Sequence, residues 1–207
     1  MRRRDAAQGG QTLLEAIVAI GVLSTAIVAA LSLAVASLAA EQVSLDQVTA
    51  GNLAREGIEV VRLMRDGNWL ANREWDDGLY DAAGSLDYDG APRFDPQAGT
   101  WAFAFGVDQL TDAGAIVYRH TGGDGGAVVG LFRQASAAPG GAVDSGFRRL
   151  VTMNPICEDA SGNLAVITSG TCPADGKVGV QALSSVRWQS AGRVHELTVE
   201  ERMYDWY

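Results

Sequence analysis

Two residues near the start of the chain, Gly10 and Glu15, are placed to do chemistry. Gly10 closes a basic decapeptide and offers a point of cleavage. Glu15 puts a carboxylate near the start of a long apolar run, and from Ala16 to Ala40 no charge follows it. An acid inside a bilayer is expensive, and where one is kept it generally has a task. Cys157 and Cys172 form a second candidate pair, 15 positions apart in a stretch containing Pro, Gly and Ser. A disulfide closing such a loop contributes about 3 kcal/mol in the chain-entropy model. A metal pair is the rival reading, but neither a neighbouring His nor a third Cys completes a site.

Other constellations are weak. His120 and His195 are the only histidines, and neither sits in a ligand motif. Ser145 and Ser161 lack a nucleophile elbow and a local His. Glu200 and Glu201 are adjacent in a strand pattern, so they point to opposite faces and cannot share a substrate. Arg148 and Arg149 are split in the same way, which argues against a nucleic-acid groove, as does an acidic chain with Lys177 as its single lysine. Asp76, Asp77, Asp81, Asp87, Asp89 and Asp95 offer oxygen ligands for Ca²⁺, but their spacing fits no EF-hand loop. A solvated acidic loop anchored by its tryptophans, Trp69 and Trp75, is the simpler expectation. The glycine cluster Thr121–Gly126 lacks the Lys-Ser/Thr of a phosphate loop and is read as a turn. The pattern therefore points to no enzyme, no cofactor, no metal and no nucleic-acid partner.

The elements that must carry Glu15 and the cysteines follow from periodicity. Arg2, Arg3 and Arg4 hold the leader in the cytoplasm and send the rest outward. The 25-residue uncharged run spans roughly 37 Å as a helix, enough to cross a hydrocarbon core of about 30 Å. It is too long for the apolar core of an ordinary secretory signal. Beyond Glu41 the helix continues: Ala50, Leu53, Ala54, Gly57, Ile58, Val61 and Met64 recur at three- and four-residue steps. Asp66-Gly67-Asn68 reads as its stop. The expected helix is therefore 11–66, with a membrane span at about 13–40. Its amphipathic half needs a sheet to cover the apolar stripe.

Residues 67–100 read as irregular. Trp101–Val107, Ile116–Arg119, Val128–Arg133 and Phe147–Met153 read as strands. A hairpin over Val178–Trp188 and Arg193–Met203 turns at Ser190-Ala191-Gly192. In its first arm Val178, Val180, Ala182, Val186 and Trp188 keep one parity, with Ser184 as the exception. The fold class is α+β: a long N-terminal helix, then a C-terminal antiparallel sheet over 67–207, with a disulfide loop at 157–172.

The stretch Gly10-Gln11-Thr12-Leu13-Leu14-Glu15, with its basic leader and long apolar run, resembles the processing site of type IV pilins and pseudopilins. The common form there is Gly-Phe-Thr-Leu-Ile-Glu; Gln11 replaces Phe and Leu14 replaces Ile. The resemblance covers about the first 65 residues. It implies that a prepilin peptidase cuts after Gly10 and methylates the amine of Gln11. The ammonium left at the tip of an apolar helix would then be neutralised by Glu15, within the chain or on a neighbour. A matched pair recovers much of the several kcal/mol that an unpaired buried charge costs. A Glu that merely favours the positive end of the helix dipole leaves the glycine and the leader unexplained.

Removing the leader takes three basic residues and one acid, changing the formal charge from −9 to −11. The expected protein is a minor pilin-like structural subunit, stored in the cytoplasmic membrane with its head outside. Its partners are the peptidase, other pilin subunits and an assembly platform, and its destination is an extracellular or periplasmic filament. A pseudopilin of a type II secretion system, a DNA-uptake subunit and a membrane-anchored receptor or enzyme domain are the alternatives.

Overall fold

The computed structural model describes residues 11–80, 88–122, 128–172 and 176–205, and of Gln11 only the backbone. Gly10, the leader, Asp81 and Asp87 lie outside the described residues. Two compact units divide the chain, Met1–Leu45 and Asp46–Tyr207. The architecture is the expected α+β arrangement, one long N-terminal helix followed by antiparallel strands.

Helix α1 runs Gln11–Leu70, four residues past the expected end. Gly67 has open space around it and does not stop the helix. The turn is made later, at Asn72, whose φ of 53° is left-handed. Asn68 is buried, and its Nδ2 donates to the carbonyls of Trp75 and Asp77 at 3.2 and 2.7 Å. The Asn of the expected stop signal thus fastens the following loop instead of ending the helix. In that loop Trp75 is buried and Tyr80 packs against the core, while Trp69 is 46% exposed.

The strands are β1 (Asp89–Asp95), β2 (Thr100–Phe105), β3 (Ile116–His120), β4 (Phe132–Gln134), β5 (Ala142–Glu158), β6 (Leu164–Val166), β7 (Lys177–Ser190) and β8 (Arg193–Tyr204). They form one antiparallel sheet with β5 as its spine. Along one edge β5 meets β3 (from Ala142 to Arg148), then β1 (at Val151 and Thr152), then β6 (from Ile156). Along the other it pairs with β7, which pairs with β8.

β1 falls inside the stretch read as irregular. Its sequence DGAPRFD has no alternation, and a Pro argues against a central strand. The strand exists because β2 pairs with it from Gly90 to Asp95. Its pairing to β5 stops at Gly90, so Pro92 breaks no ladder there. The expected strand 128–133 is reduced to β4, and Val128 and Val129 are exposed. β5 is much longer than the expected Phe147–Met153.

The second half of α1 covers one face of this sheet. Ala50, Leu53 and Ala54 pack with Val117, Phe147, Val186 and Trp188. Ile58, Val60 and Val61 pack with Val151, Met153, Val180, Ala182 and Met203. The opposite face is closed by Ala91, Val107, Leu110, Ala115 and Leu150. Each buried aliphatic side chain contributes about 1.5–3 kcal/mol, so the amphipathic stripe, not helix propensity, holds this half of α1 in place.

Candidate assembly surface

Glu15 is the fifth residue of α1 and is exposed. The first turn holds no acid. Dipole stabilisation falls away within that turn, so the position is poor for a purely capping role. Among the described residues Glu15 has no ion-pair partner, which leaves its charge available to a group outside them. Of the expected processing site, Gly10 lies outside the described residues and only the backbone of Gln11 is described.

From Leu13 to Leu38 every large apolar side chain of α1 is more than half exposed, from Ile27 at 55% to Leu33 at 72%. By length and composition this helix can cross a membrane. Four hydroxyl residues interrupt the run, Ser24, Thr25, Ser32 and Ser37, and the first three bond to their own helix. Ser24 Oγ donates to Ile20 O at 2.7 Å, Thr25 Oγ1 to Val22 O at 2.9 Å and Ser32 Oγ to Val28 O at 2.9 Å. The segment therefore presents a largely apolar surface on which the hydroxyls of Ser24, Thr25 and Ser32 need no outside partner.

Within the Asp46–Tyr207 unit, the helix is fixed by polar contacts as well as by the core. Arg149 is fully buried between helix and sheet. It donates through Nη1 to Glu56 Oε2 at 2.7 Å and to Leu53 O at 3.1 Å, and through Nε to Gln134 Oε1 at 3.0 Å. Gln134 Nε2 donates back to Arg149 O at 2.7 Å. Burial pushes the Arg149 guanidinium down from its ordinary pKa, and the Glu56 carboxylate opposes that. Arg62 joins Glu59 to Glu201 of β8, and hydrogen bonds to both acids push its pKa up. Glu200 points the other way, toward Gln181 and Arg202.

Gly57 marks a close approach of α1 to the sheet. A Cβ there would overlap Ser184 Oγ and lie 3.1 Å from Val151 Cγ2. Ser184 is completely buried on the same parity as Val180, Ala182 and Val186. It is a member of the inward row, small because the helix passes directly over it. Arg149 went unrecognised, yet it shares the inward parity of Phe147, Val151 and Met153. A charged residue in register with an apolar row is the signal that could have found it.

The disulfide Cys157–Cys172 is formed, with Cα atoms 5.6 Å apart. Its loop is tied to the segment after α1. Tyr88 Oη donates to Gly170 O, and Lys177 pairs with Asp76 while its ammonium sits 4.5 Å over the Tyr80 ring. Burial, then the nearby Asp76 charge, push the Tyr80 hydroxyl well up.

No group of three or more metal-ligating side chains occurs among the described residues. His195 stacks on Trp188 at 5.3 Å, a half-buried ring at the rim of the core. His120 is buried at the end of β3. His120 Nδ1 has no hydrogen-bond partner among the described residues, and Ser145 Oγ donates to Val117 O.

The surface thus belongs to a protein that offers an exposed apolar helix joined to a disulfide-bonded α+β head. Comparison with protein families, with curated proteins and with solved structures gives no match.

Proposed function

We propose that the chain is a structural prepilin-type subunit, a minor pilin of a type IV pilus-like filament. The observation that carries this reading is the Gly10–Glu15 motif at the head of a fully exposed apolar helix. A prepilin peptidase removes the leader and methylates Gln11, with the head outside the cytoplasmic membrane. Assembly on a platform then repacks the span 13–40 against the same segments of other subunits, and Glu15 sets the stagger by meeting the new N-terminal amine. The head does no chemistry in this scheme, and hydrolysis of ATP falls to another protein. A formed disulfide suits a head on the outer side of the membrane, where disulfides persist.

The test compares Gly10→Ala with wild type by intact mass. We expect the wild-type chain to begin at a methylated Gln11 and the variant to retain its leader. Identical processing of the two chains would end the proposal. The same features serve a pseudopilin of a secretion or DNA-uptake machine, and the genes encoded beside this one separate these readings.

A further inference from the structure

The end of the head at which α1 enters carries a cluster of exposed apolar side chains. β4, β3, β5, β7 and β8 are consecutive neighbours, and their ladders bring one end of each together. Arg119 pairs with Phe132 on one side and Val143 on the other, and His120 pairs with Ala142. Arg148 pairs with Arg187, so Ser190 lies three residues further toward the start of β5, where it pairs with Arg193. Ser190 Oγ donates to Asp46 Oδ2 at 2.7 Å, which fixes the β7–β8 turn to the first residue of this unit. Val128, Val129 and Val194 are exposed by 70%, 70% and 68%, and Leu131 and Val143 by 50% and 45%. All five lie at this end. Of the other exposed apolar side chains on the strands and their connections, Phe94 lies in β1 and Leu164 begins β6, at the far end of β5.

We propose that this end of the head rests on the bilayer surface while α1 is in the membrane, an inference that depends on the membrane-stored reading above. Two observations select lipid. The first is charge. Arg119 and Arg193 are exposed at this end and enter no ion pair among the described residues. Of the described acids here, Asp144 is paired with Arg148, while Asp46 accepts a bond from the Ser190 hydroxyl and keeps its charge. Two exposed guanidinium groups beside apolar tips match an anionic headgroup layer. The second is chain length. Six residues lead from Ala40 to Asp46, about 9 Å as helix, against a headgroup layer of roughly 5–8 Å on each side. The run 13–40 is about 42 Å long as a helix, some 12 Å more than the hydrocarbon core, so the span has length to spare for bringing this end down. The apolar tips then lie at headgroup depth, and drawing the subunit out of the membrane must lift them clear.

The experiment uses the full chain in vesicles of phosphatidylcholine and phosphatidylglycerol. Val129→Cys and, separately, Leu164→Cys carry a fluorophore, the native cysteines being held in their disulfide. Flotation with the vesicles establishes insertion, and doxyl-labelled lipid reports depth. We expect several-fold stronger quenching at position 129 than at 164, reduced when Arg119 and Arg193 are changed to Gln. Equal quenching at both positions in floated protein overturns this proposal alone. Self-quenching that rises with protein density and ignores the doxyl label also overturns it, and marks a second copy as the occupant. Failure to float overturns the membrane-stored reading, and this proposal with it.

Discussion

Arg149 shows how one buried charge constrains its neighbours. Its side chain is 2% exposed, whereas that of its partner Glu56 is 39% exposed and can hydrate by itself. The asymmetry sets an order of costs. Glu56→Gln leaves a buried guanidinium unneutralised and is expected to cost about 3 kcal/mol. Adding Arg149→Met removes the stranded charge and should restore part of that loss, because apolar replacement of a buried pair is often neutral. Urea unfolding of the single and double variants measures the difference, and a double variant no better than Glu56→Gln would contradict this account. Gly57 makes a parallel case in steric terms. Gly57→Ala drives a methyl into Ser184 and is expected to cost about 1–3 kcal/mol, the range for overpacked cores. Ser184→Gly in the same chain should recover much of it, as read by thermal unfolding.

At the scale of elements, most of the fold was legible and its exceptions have physical causes. The stripe from Ala50 to Met64 had the helical period, and all but the half-buried Met64 are buried or in the core beside Val60. The hairpin of β7 and β8 was legible because its alternation is long and a two-residue loop, Ala191-Gly192, takes positive φ at both positions. β1 was not, since its residues encode no strand and its partner β2 imposes one. The outer length of β5 was hidden by Asp144-Ser145-Gly146, which breaks the apolar alternation. There Asp144 accepts bonds from Gly146 N at 2.8 Å and from both Arg148 Nη atoms at 2.9 Å. Burial pushes its carboxyl up, but Arg148 and the Gly146 amide outweigh that and hold it below the usual carboxylate range. A lowered value in the folded state stabilises above the unfolded pKa of about 3.9 and loses that contribution as pH falls through the folded value. Asp144→Asn is therefore expected to lower the melting midpoint at neutral pH, with the gap from wild type narrowing in acid below about pH 4.

Across the whole molecule, the candidate site divides into what sequence spacing announces and what only packing reveals. Gly10, Gln11 and Glu15 stand out because a charge and a glycine bracket the start of an uncharged run. The cysteine pair was legible as a pair, but its attachment through Tyr88, Lys177 and Asp76 joins residues some 80 to 100 positions apart in sequence. Reduction of Cys157–Cys172 is expected to remove about 3 kcal/mol, the loop-closure value for 15 residues. Melting with and without a reductant checks this. The core clusters do not include Cys172, so the reduced head should keep a cooperative transition. The hydroxyls of Ser24, Thr25 and Ser32 carry a last consequence. Each is already sated by a carbonyl one turn back along its own chain. Exchanging one oily neighbourhood for another would ask these three groups to give up nothing, so the polar cost of such a transfer would fall on Glu15 and Ser37 and the rest on how well the surfaces fit.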